Sequence, residues 1–425
     1  MIAFHSGEQL LLCRSDFLKV NAQLPQGMKG LRMKAKTITK ATLNTPASAT
    51  KAKPAGVAKA ATKRVAKKTI VKSSASSPVA VTGPAIIKRT EPKIINMALQ
   101  GGGAHGAFGW GVMDKFLEDG RVQVEGLSGT SAGSMNAVVY AYGMLKGNDG
   151  ARQAMHDFWK AISDAGQKFA PKKMPWDIGM SQKENPLQDM MKSMMSILSP
   201  YQMNPMNYNP LKEVLEQQVD FEELERSKKT KLFICATNVR TGKVKIFHTP
   251  EVTSATVLAS ACLPQVFQAV EINGEHYWDG GYMGNPVLYP LFYYTDSRDV
   301  VILHINPIER PGPPTTSADI ANRLNEITFN SSLIKELRSV YFVQQLLDNG
   351  WIKDEHRDKL KYVLIHSVRA DNAMSDLSSA SKMSSDWAFL TMLRDRGRAL
   401  ATEWLQHNFD HLGVRSTVDL KREFL

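Results

Sequence analysis

The feature that most constrains the fold is a strand, glycine turn and helix pattern that occurs twice in succession. Residues 94–100, IINMALQ, are almost continuously apolar, a triple glycine follows, and VMDKFLEDG then has helical spacing and ends at Gly120. The pattern repeats at once, because VEGLSGT ends directly before Ser131 and SMNAVVYAYGMLKG is an apolar helix that closes at Gly147. Two such units predict parallel strands connected by helices.

Four later segments have the same strand-like apolar character. They are KLFICATN (231–238), GKVKIFHT (242–249), DVVILHIN (299–306) and KYVLIHS (361–367). Their apolarity is continuous rather than alternating, which is typical of strands that are covered by helices on both faces. The sequence therefore predicts an α/β protein with a three-layer α/β/α sandwich.

The basic residues are concentrated at the beginning of the chain. Residues 1–90 hold 17 of the 53 Lys and Arg but only two acids, Glu8 and Asp16, which leaves 36 basic and 39 acidic residues in the remainder. This Lys/Ala-rich segment has too few large apolar residues to offset its ordering entropy, so we expect a disordered tail over residues 1–92. Such a tail is either simply solvated or binds a polyanion, namely an anionic membrane, a lipid-granule surface or, without sequence preference, nucleic acid.

Other global features predict a cytoplasmic protein, peripheral at a membrane or lipid inclusion if the tail binds there. No run of 18 apolar residues is present, and the first residues make a poor secretory signal. Three cysteines without a spaced framework suit a reducing compartment. No cofactor and no metal are expected, because no His/Cys/Asp cluster has ligand spacing. Met1, Met28 and Met33 leave the translation start open.

The folded part divides into two predicted regions. Residues 93–312 form the predicted catalytic domain, with a Met-rich insert at 164–210, and residues 313–425 form a helical C-terminal extension packed on it. The insert contains eight methionines, and LQDMMKSMMSIL within it has amphipathic helical spacing. Such a helix is either adaptable core or a lipid-facing lid, since thioether side chains conform to irregular apolar surfaces.

The pentapeptide Gly129-Thr130-Ser131-Ala132-Gly133 has the G-x-S-x-G spacing of a nucleophile elbow. In an elbow, a sharp strand-to-helix turn lifts the serine hydroxyl above the sheet, and the helix N-terminus favours developing negative charge. The spacing alone is also compatible with a structural turn. Because a predicted strand ends at Ser131 and a predicted helix begins there, we expect Ser131 to be a nucleophile, with Gly129 and Gly133 as supporting glycines.

A second glycine-rich stretch lies 28 residues earlier. Gly101, Gly102, Gly103 and Ala104 follow the first predicted strand, and consecutive amides there can point toward one oxyanion. The loop could instead cradle a phosphate, but it lacks the Gly-Lys-Ser/Thr ending of a P-loop and the dinucleotide-binding glycine spacing. We therefore expect an oxyanion hole made by these four residues.

The third motif is Asp279-Gly280-Gly281. By itself an Asp-Gly-Gly sequence is most often an ordinary turn. A serine esterase needs a base, however, and a partly desolvated carboxylate beside the hydroxyl can serve because desolvation raises its proton affinity.

Together these segments resemble the patatin-like phospholipases. The glycine loop GGGAHGAFGWGV, the elbow GTSAG and the late DGG occur in that family's order and spacing, and ATNVRTGKVKIF and ASACLPQVFQAVEINGEHYWDGG resemble the segments before its aspartate. The helical stretch 315–410 resembles an extension found on a bacterial branch of the family. The resemblance implies a Ser131–Asp279 dyad without histidine. His105 replaces the Arg or Lys that many members carry in the glycine loop, so the resemblance gives no positive side chain there.

Two histidines keep a rival mechanism open. His304 and His366 follow Asp279 near predicted strand ends, so the order Ser, Asp, His of an ordinary hydrolase triad is available. The dyad predicts that alanine at either position preserves esterase activity.

The sequence as a whole predicts a lipid acyl hydrolase, a phospholipase or carboxylesterase, that acts on a lipid ester through an acyl-enzyme. Two alternatives remain: a Ser-Asp-His thioesterase or esterase, and a tethering protein whose tail holds a lipid-binding body with vestigial catalysis at a lipid or polyanion surface.

Overall fold

The computed structural model describes residues 91–169, 198–227, 229–377 and 379–425. Nearly all of the predicted tail (1–92) and most of the Met-rich insert, including its predicted helix LQDMMKSMMSIL, lie outside the described residues. The described ranges belong to one compact unit.

The described strands form one mixed sheet of eight strands. They are β1 (Lys93–Leu99), β2 (Val122–Thr130), β3 (Lys231–Asn238), β4 (Val244–His248), β5 (Val270–Ile272), β6 (Glu275–Asp279), β7 (Asp299–His304) and β8 (Leu364–Arg369).

Parallel pairing holds the centre of the sheet together. Strand β1 pairs in parallel with β2 and β7, β2 with β3, and β7 with β8. Strands β4 and β6 pair antiparallel with β3, and β5 with β6, which gives the neighbour order β5-β6-β3-β2-β1-β7-β8 with β4 also on β3.

The pairing on β3 places β2 and β6 end to end. Strand β4 pairs with residues 233–237 of β3, which overlap both the residues paired with β2 and those paired with β6. Since a strand has only two edges, β2 and β6 must share the edge opposite β4. Thr130 pairs with Cys235 and Asp279 pairs with Ala236, so the last residues of the two strands meet at consecutive positions of β3.

The described helices connect and cover the strands. They are α1 (Gly106–Asp119), α2 (Ala132–Gly143), α3 (Gly147–Phe169), α4 (Pro200–Met203), α5 (Pro210–Gln218), α6 (Phe221–Arg226), α7 (Ser254–Ser260), α8 (Tyr289–Tyr293), α9 (Ser317–Asp348), α10 (Asp354–Arg357), α11 (Trp387–Asn408) and α12 (Leu420–Phe424).

Both faces of the sheet are buried against helices. In β7, Val301 and Leu303 belong to one apolar core, whereas Val300 and Ile302 belong to a second core on the opposite face. The first core includes side chains of α1, α2, α3 and α11, and the second includes side chains of α8, α9 and α12. This alternation gives the three layers that the continuous apolar strands predict, and the α/β/α prediction is confirmed.

The C-terminal region contributes to all three layers of the sandwich. Residues 313–425 supply β8 at the sheet edge, α9 to one face and α11 to the other. Helix α11 crosses α1 at very short range, because a Cβ at Gly111 would overlap the Arg394 carbonyl and one at Gly397 would overlap the Phe108 carbonyl. The helix that follows the glycine loop is therefore held by the C-terminal helix.

All six predicted strands are present, with ends that shift by up to three residues. Strands β5 and β6 are not predicted from the sequence, because they are short and only partly apolar. In the part of the chain that the structure describes, no helix is long and apolar enough to span a membrane.

Candidate active site

Ser131 lies at a tight turn between a strand and a helix. Strand β2 ends at Thr130, α2 begins at Ala132, and Ser131 between them has φ 54° and ψ −123°. Positive φ is costly for a residue with a side chain, by about 1–3 kcal/mol. The Ser131 N–H donates to Ser260 Oγ (2.9 Å) and its carbonyl accepts from Ser134 Oγ (2.6 Å), which fixes the strained residue.

Two glycines permit this turn. A Cβ at Gly129 would lie 2.6 Å from the Gly133 carbonyl oxygen, and a Cβ at Gly133 would overlap the Leu99 carbonyl oxygen at the end of β1. Close backbone approach therefore requires glycine at both positions of this strand-to-helix turn.

The glycine loop lies directly against the serine. A Cβ at Gly101 would come 2.6 Å from the Ser131 Cβ. The Gly101 N–H donates to Asn285 Oδ1 (2.6 Å), so the prediction that Gly101 donates to an oxyanion needs correction. The N–H groups of Gly102, Gly103 and Ala104 have no acceptor among the described residues. Gly102 is half-buried, Gly103 is exposed and Ala104 is buried, so Gly102 and Gly103 are the donors nearest to solvent.

Asp279 is the last residue of β6 and is fully buried. Its Oδ1 accepts the Gly281 N–H (2.7 Å), and its buried Oδ2 has no hydrogen-bond partner of regular geometry within the described chain. Burial raises the pKa of Asp279 to about 6, and interactions with the Gly281 N–H and with the Ser131 hydroxyl oppose this rise. The Ser131 hydroxyl is therefore near enough to the carboxyl to influence its pKa, although the two groups do not form a hydrogen bond of regular geometry.

The two glycines after Asp279 let other chain segments approach it. A Cβ at Gly280 would overlap the Cys235 carbonyl of β3, and one at Gly281 would overlap the Phe329 ring of α9. The end-to-end arrangement of β2 and β6 then brings Ser131, which follows Thr130, next to the carboxyl of Asp279. The sheet thereby joins two residues 148 positions apart in the sequence.

Comparison with known families agrees with this geometry. The family model described as patatin-like phospholipase matches residues 97–291, which include the glycine loop, Ser131 and Asp279. Residues 97–291 are a patatin-like phospholipase domain. The match supports lipid acyl hydrolysis at the level of the family. No curated protein sequence matches the chain significantly.

Solved structures with low similarity have also been found for the chain. VipD from Legionella pneumophila is 14% identical, with a TM-score of 0.36 over 74% of this chain and 67% of VipD. ExoU from Pseudomonas aeruginosa, in complex with SpcU, is 16% identical, with a TM-score of 0.27 over 75% of this chain and 54% of ExoU. The chain thus spans about half the length of ExoU. These similarities are too low to assign a function.

The structure does not bring His304 or His366 to the patatin-like site. Strands β7 and β8 lie two and three strands from the line that β2 and β6 share, about 10 and 14 Å away at ordinary strand spacing. The His366 Nε2 contacts Asp299 Oδ1 (2.9 Å), and the His304 ring stacks on Phe424. Neither ring contacts Ser131 or Asp279.

His105 does not place a charge in the glycine loop at neutral pH. Burial and the nearby Lys382 ammonium lower the pKa of His105 to about 4. Its Nε2 lies 2.8 Å from Ser381 Oγ. The imidazole is therefore neutral and acts as a packing and hydrogen-bonding group.

The site is partly exposed to solvent. Ser131 and Gly102 are half-buried and Gly103 is exposed, whereas Asp279 lies behind them without solvent contact. Four surface cavities of about 320 to 630 Å³ are lined by residues other than Ser131 and Asp279. Among the described residues no group of three or more His, Cys, Asp or Glu side chains could hold a metal ion.

Sequence reasoning missed several residues that position the patatin-like site. Asn285 and Asn306 bind Gly101 of the glycine loop. Gln100, directly before the loop, accepts the Ile305 N–H, and Ser260 accepts the Ser131 N–H. Asn285 stands six residues after Asp279, in the stretch YWDGGYMGNP that contains the Asp-Gly-Gly motif, and is the one for which a local signal existed. The others lie in ordinary strand, loop or helix sequence.

Proposed function

We propose that the protein is a lipid acyl hydrolase in which Ser131 is the nucleophile and Asp279 the base. The observation that carries this proposal is the proximity of Ser131 to the fully buried Asp279 carboxyl at the junction of β2 and β6, with no histidine of the described residues contacting either group. A carboxyl with a pKa of about 6 is ionised at neutral pH and is a stronger base than an ordinary aspartate.

In the acylation step, Ser131 Oγ attacks the ester carbonyl carbon and its proton passes to Asp279, where Oδ2 has no competing partner. The carbonyl oxygen becomes an oxyanion that the N–H groups of Gly102 and Gly103 stabilise, each by about 3 kcal/mol if well aligned. The N-terminus of α2 favours the same negative charge. When the intermediate collapses, the leaving alcohol takes the proton from Asp279 and the acyl group remains on Ser131.

In the deacylation step, a water molecule gives a proton to Asp279 and attacks the acyl carbon. The second tetrahedral intermediate uses the same backbone donors. Its collapse releases the carboxylic acid and returns the proton to Ser131 Oγ. The cycle needs no cofactor, because one carboxyl accepts and returns each proton.

A lipid ester is the proposed substrate class because of the patatin-like phospholipase match. The test is a release assay with a phospholipid, a monoacylglycerol and a short-chain p-nitrophenyl ester, comparing the wild type with Ser131→Ala. We expect hydrolysis of at least one lipid ester by the wild type and none above background by the variant. Equal activity of the two proteins would reject the proposal.

A second proposal concerns location and rests on charge. The excess of 17 basic over two acidic residues in residues 1–90 suits a cytoplasmic enzyme that binds anionic lipid surfaces peripherally. Cosedimentation with phosphatidylserine vesicles should be lost when residues 1–90 are removed, while hydrolysis of a soluble ester should persist. Retention by double-stranded DNA but not by vesicles would identify nucleic acid as the partner instead.

A further inference from the structure

A short segment of the C-terminal region covers the glycine loop. The helical turn Ser379–Met383 lies so close to it that a Cβ at Gly103 would overlap the Lys382 carbonyl oxygen. Ser381 of the same turn contacts His105 Nε2 over 2.8 Å. The segment therefore contacts the loop at the two residues that flank Ala104.

The Lys382 side chain is linked to the glycine loop through the side-chain amide of Asn306. Its Nζ donates to Asn306 Oδ1 (2.8 Å) and to Asn325 Oδ1 of α9 (3.2 Å). Asn306 Nδ2 donates in turn to the Gly101 carbonyl (2.9 Å). An ammonium group can only donate hydrogen bonds, so the Asn306 side chain must present its Oδ1, and not its Nδ2, to Lys382. Lys382 thereby fixes the donor that holds Gly101.

The same ammonium faces the other half of the site. Its Nζ lies 6.0 Å from the centre of the Phe329 ring, within the range of a cation–π contact. The Phe329 ring packs against Gly281, whose N–H binds Asp279 Oδ1. Lys382 thus contacts, through one intermediate residue each, the loop that carries the oxyanion donors and the turn that carries the base.

We propose that Lys382 is a positioning residue for ester hydrolysis, which holds the glycine loop in register with Ser131 through Asn306 and couples the C-terminal region to catalysis. The inference rests on the proposed function. It also accounts for a glycine loop that contains no cation of its own, since the positive charge comes from a segment about 280 residues later in the chain.

The protonation state of Lys382 should be visible in the pH dependence. Burial lowers the pKa of Lys382 to about 8, Glu326 opposes this decrease and Arg310 adds to it. The charged or titratable groups facing it are Glu326 and its partner Arg323 on α9, Arg310 in the preceding loop, and neutral His105. As the pH rises through about 8 the ammonium becomes an amine that can also accept, and the Asn306 amide is no longer constrained.

The test compares Lys382→Met with Lys361→Met in hydrolysis of a short-chain p-nitrophenyl ester. Lys361 is a matched control, because it is also half-buried and donates to a carbonyl, that of Thr295, on another side of the domain. We expect kcat of Lys382→Met to fall about 10- to 100-fold with KM within about twofold, less than the roughly 100- to 1,000-fold loss when an oxyanion donor itself is removed. The decrease of wild-type kcat above about pH 8 should disappear in Lys382→Met and persist in Lys361→Met.

Asn306→Ala supplies an independent measurement if Lys382→Met does not fold. It should show the same decrease in kcat, and a double variant should lose no more than the worse single variant, because the two residues act in one chain of hydrogen bonds. Wild-type kcat in either single variant, or an alkaline limb retained without Lys382, would overturn the inference. If Ser131→Ala is as active as the wild type, the proposed function fails instead, so the two failures are distinguishable.

Discussion

Gly101 donates its backbone N–H to Asn285 Oδ1 over 2.6 Å, and both residues are buried. This bond occupies the Gly101 N–H, which therefore cannot donate to an oxyanion. Because the bond also fixes the position of Gly101, it sets the direction in which the next amides of the loop point. In the proposed mechanism, Asn285, six residues after Asp279, thereby determines which amides of the loop remain free to stabilise the oxyanion.

Asn285→Ala should therefore impair catalysis more than stability alone explains. The Gly101 N–H would lose its buried acceptor, at a cost of about 1–3 kcal/mol, and the loop would be free to rotate. We expect kcat to fall at least about tenfold. Asn96→Ala is the control, because Asn96 is equally buried and donates to Ser297 O from the middle of β1, outside the glycine loop. It should lose stability but keep kcat, and equal kcat in the two variants would contradict the role of Asn285.

Hydrolysis should decrease on the acid side as Asp279 becomes protonated. The base must be ionised to accept the Ser131 proton, so activity is present above the folded pKa of about 6 and is lost below it. A profile of kcat/KM from pH 4 to pH 8, with a substrate that does not titrate, should give an acid limb near pH 6. A limb near pH 4 would show that the carboxyl is not desolvated as described.

Asp279→Asn should stabilise the fold at neutral pH while it abolishes activity. Folding raises the pKa from 3.8 to about 6, so the stability linked to this group is complete below about pH 3.8 and is lost as the pH rises through about 6. Two pKa units correspond to about 3 kcal/mol at pH 7.5, which the amide should recover. Urea unfolding at pH 7.5 and pH 4 measures the difference, which should vanish at the lower pH.

Asp376→Asn is the control in the same experiment, because the pKa of Asp376 is lowered in the folded protein whereas that of Asp279 is raised. Asp376 is exposed, and its hydrogen bond to Arg396 lowers its pKa. Its replacement should give no increase in stability at pH 7.5. An unchanged unfolding free energy for Asp279→Asn at both pH values would mean that the buried carboxyl carries no desolvation cost.

His304→Leu should increase stability and preserve hydrolysis. Both ring nitrogens of His304 are buried without a partner among the described residues, and burial lowers its pKa to about 3. An unsatisfied buried polar group costs about 1–3 kcal/mol, and an apolar side chain of similar volume avoids this cost. Thermal unfolding and ester hydrolysis are the two measurements. Loss of hydrolysis in a folded variant would favour the Ser-Asp-His mechanism over the dyad.

The strand-to-helix turn at Ser131 could be predicted because local chemistry determines it. The Ser131 turn needs small neighbours wherever a strand meets a helix this closely, so Gly129 and Gly133 are visible in five letters. The sandwich was predictable for a similar reason, since strands buried on both faces are continuously apolar. Strand β6 was not, because its last residue is a buried acid and its burial comes from β3 and α9.

The positioning residues could not be predicted from local sequence. Lys382 stands in the stretch SSASKMSSD, which resembles an exposed loop, and its amide partners Asn306 and Asn325 are separated from it by more than 50 residues. The prediction that the Gly101 N–H donates to an oxyanion was wrong for the same reason, since only the fold shows that Asn285 accepts this N–H. These contacts join residues that are far apart in the sequence, and the hydrophobic periodicity of the sequence does not predict such contacts.

The most direct test of the dyad is the rate at which a fluorophosphonate probe modifies Ser131. We predict that the wild type is labelled at Ser131 at a rate that rises through about pH 6. Asp279→Asn should be labelled at least about 100-fold more slowly at pH 7.5, and Ser131→Ala not at all. Labelling of Asp279→Asn at the wild-type rate, or of a serine other than Ser131, would contradict the central claim that this carboxyl activates this hydroxyl.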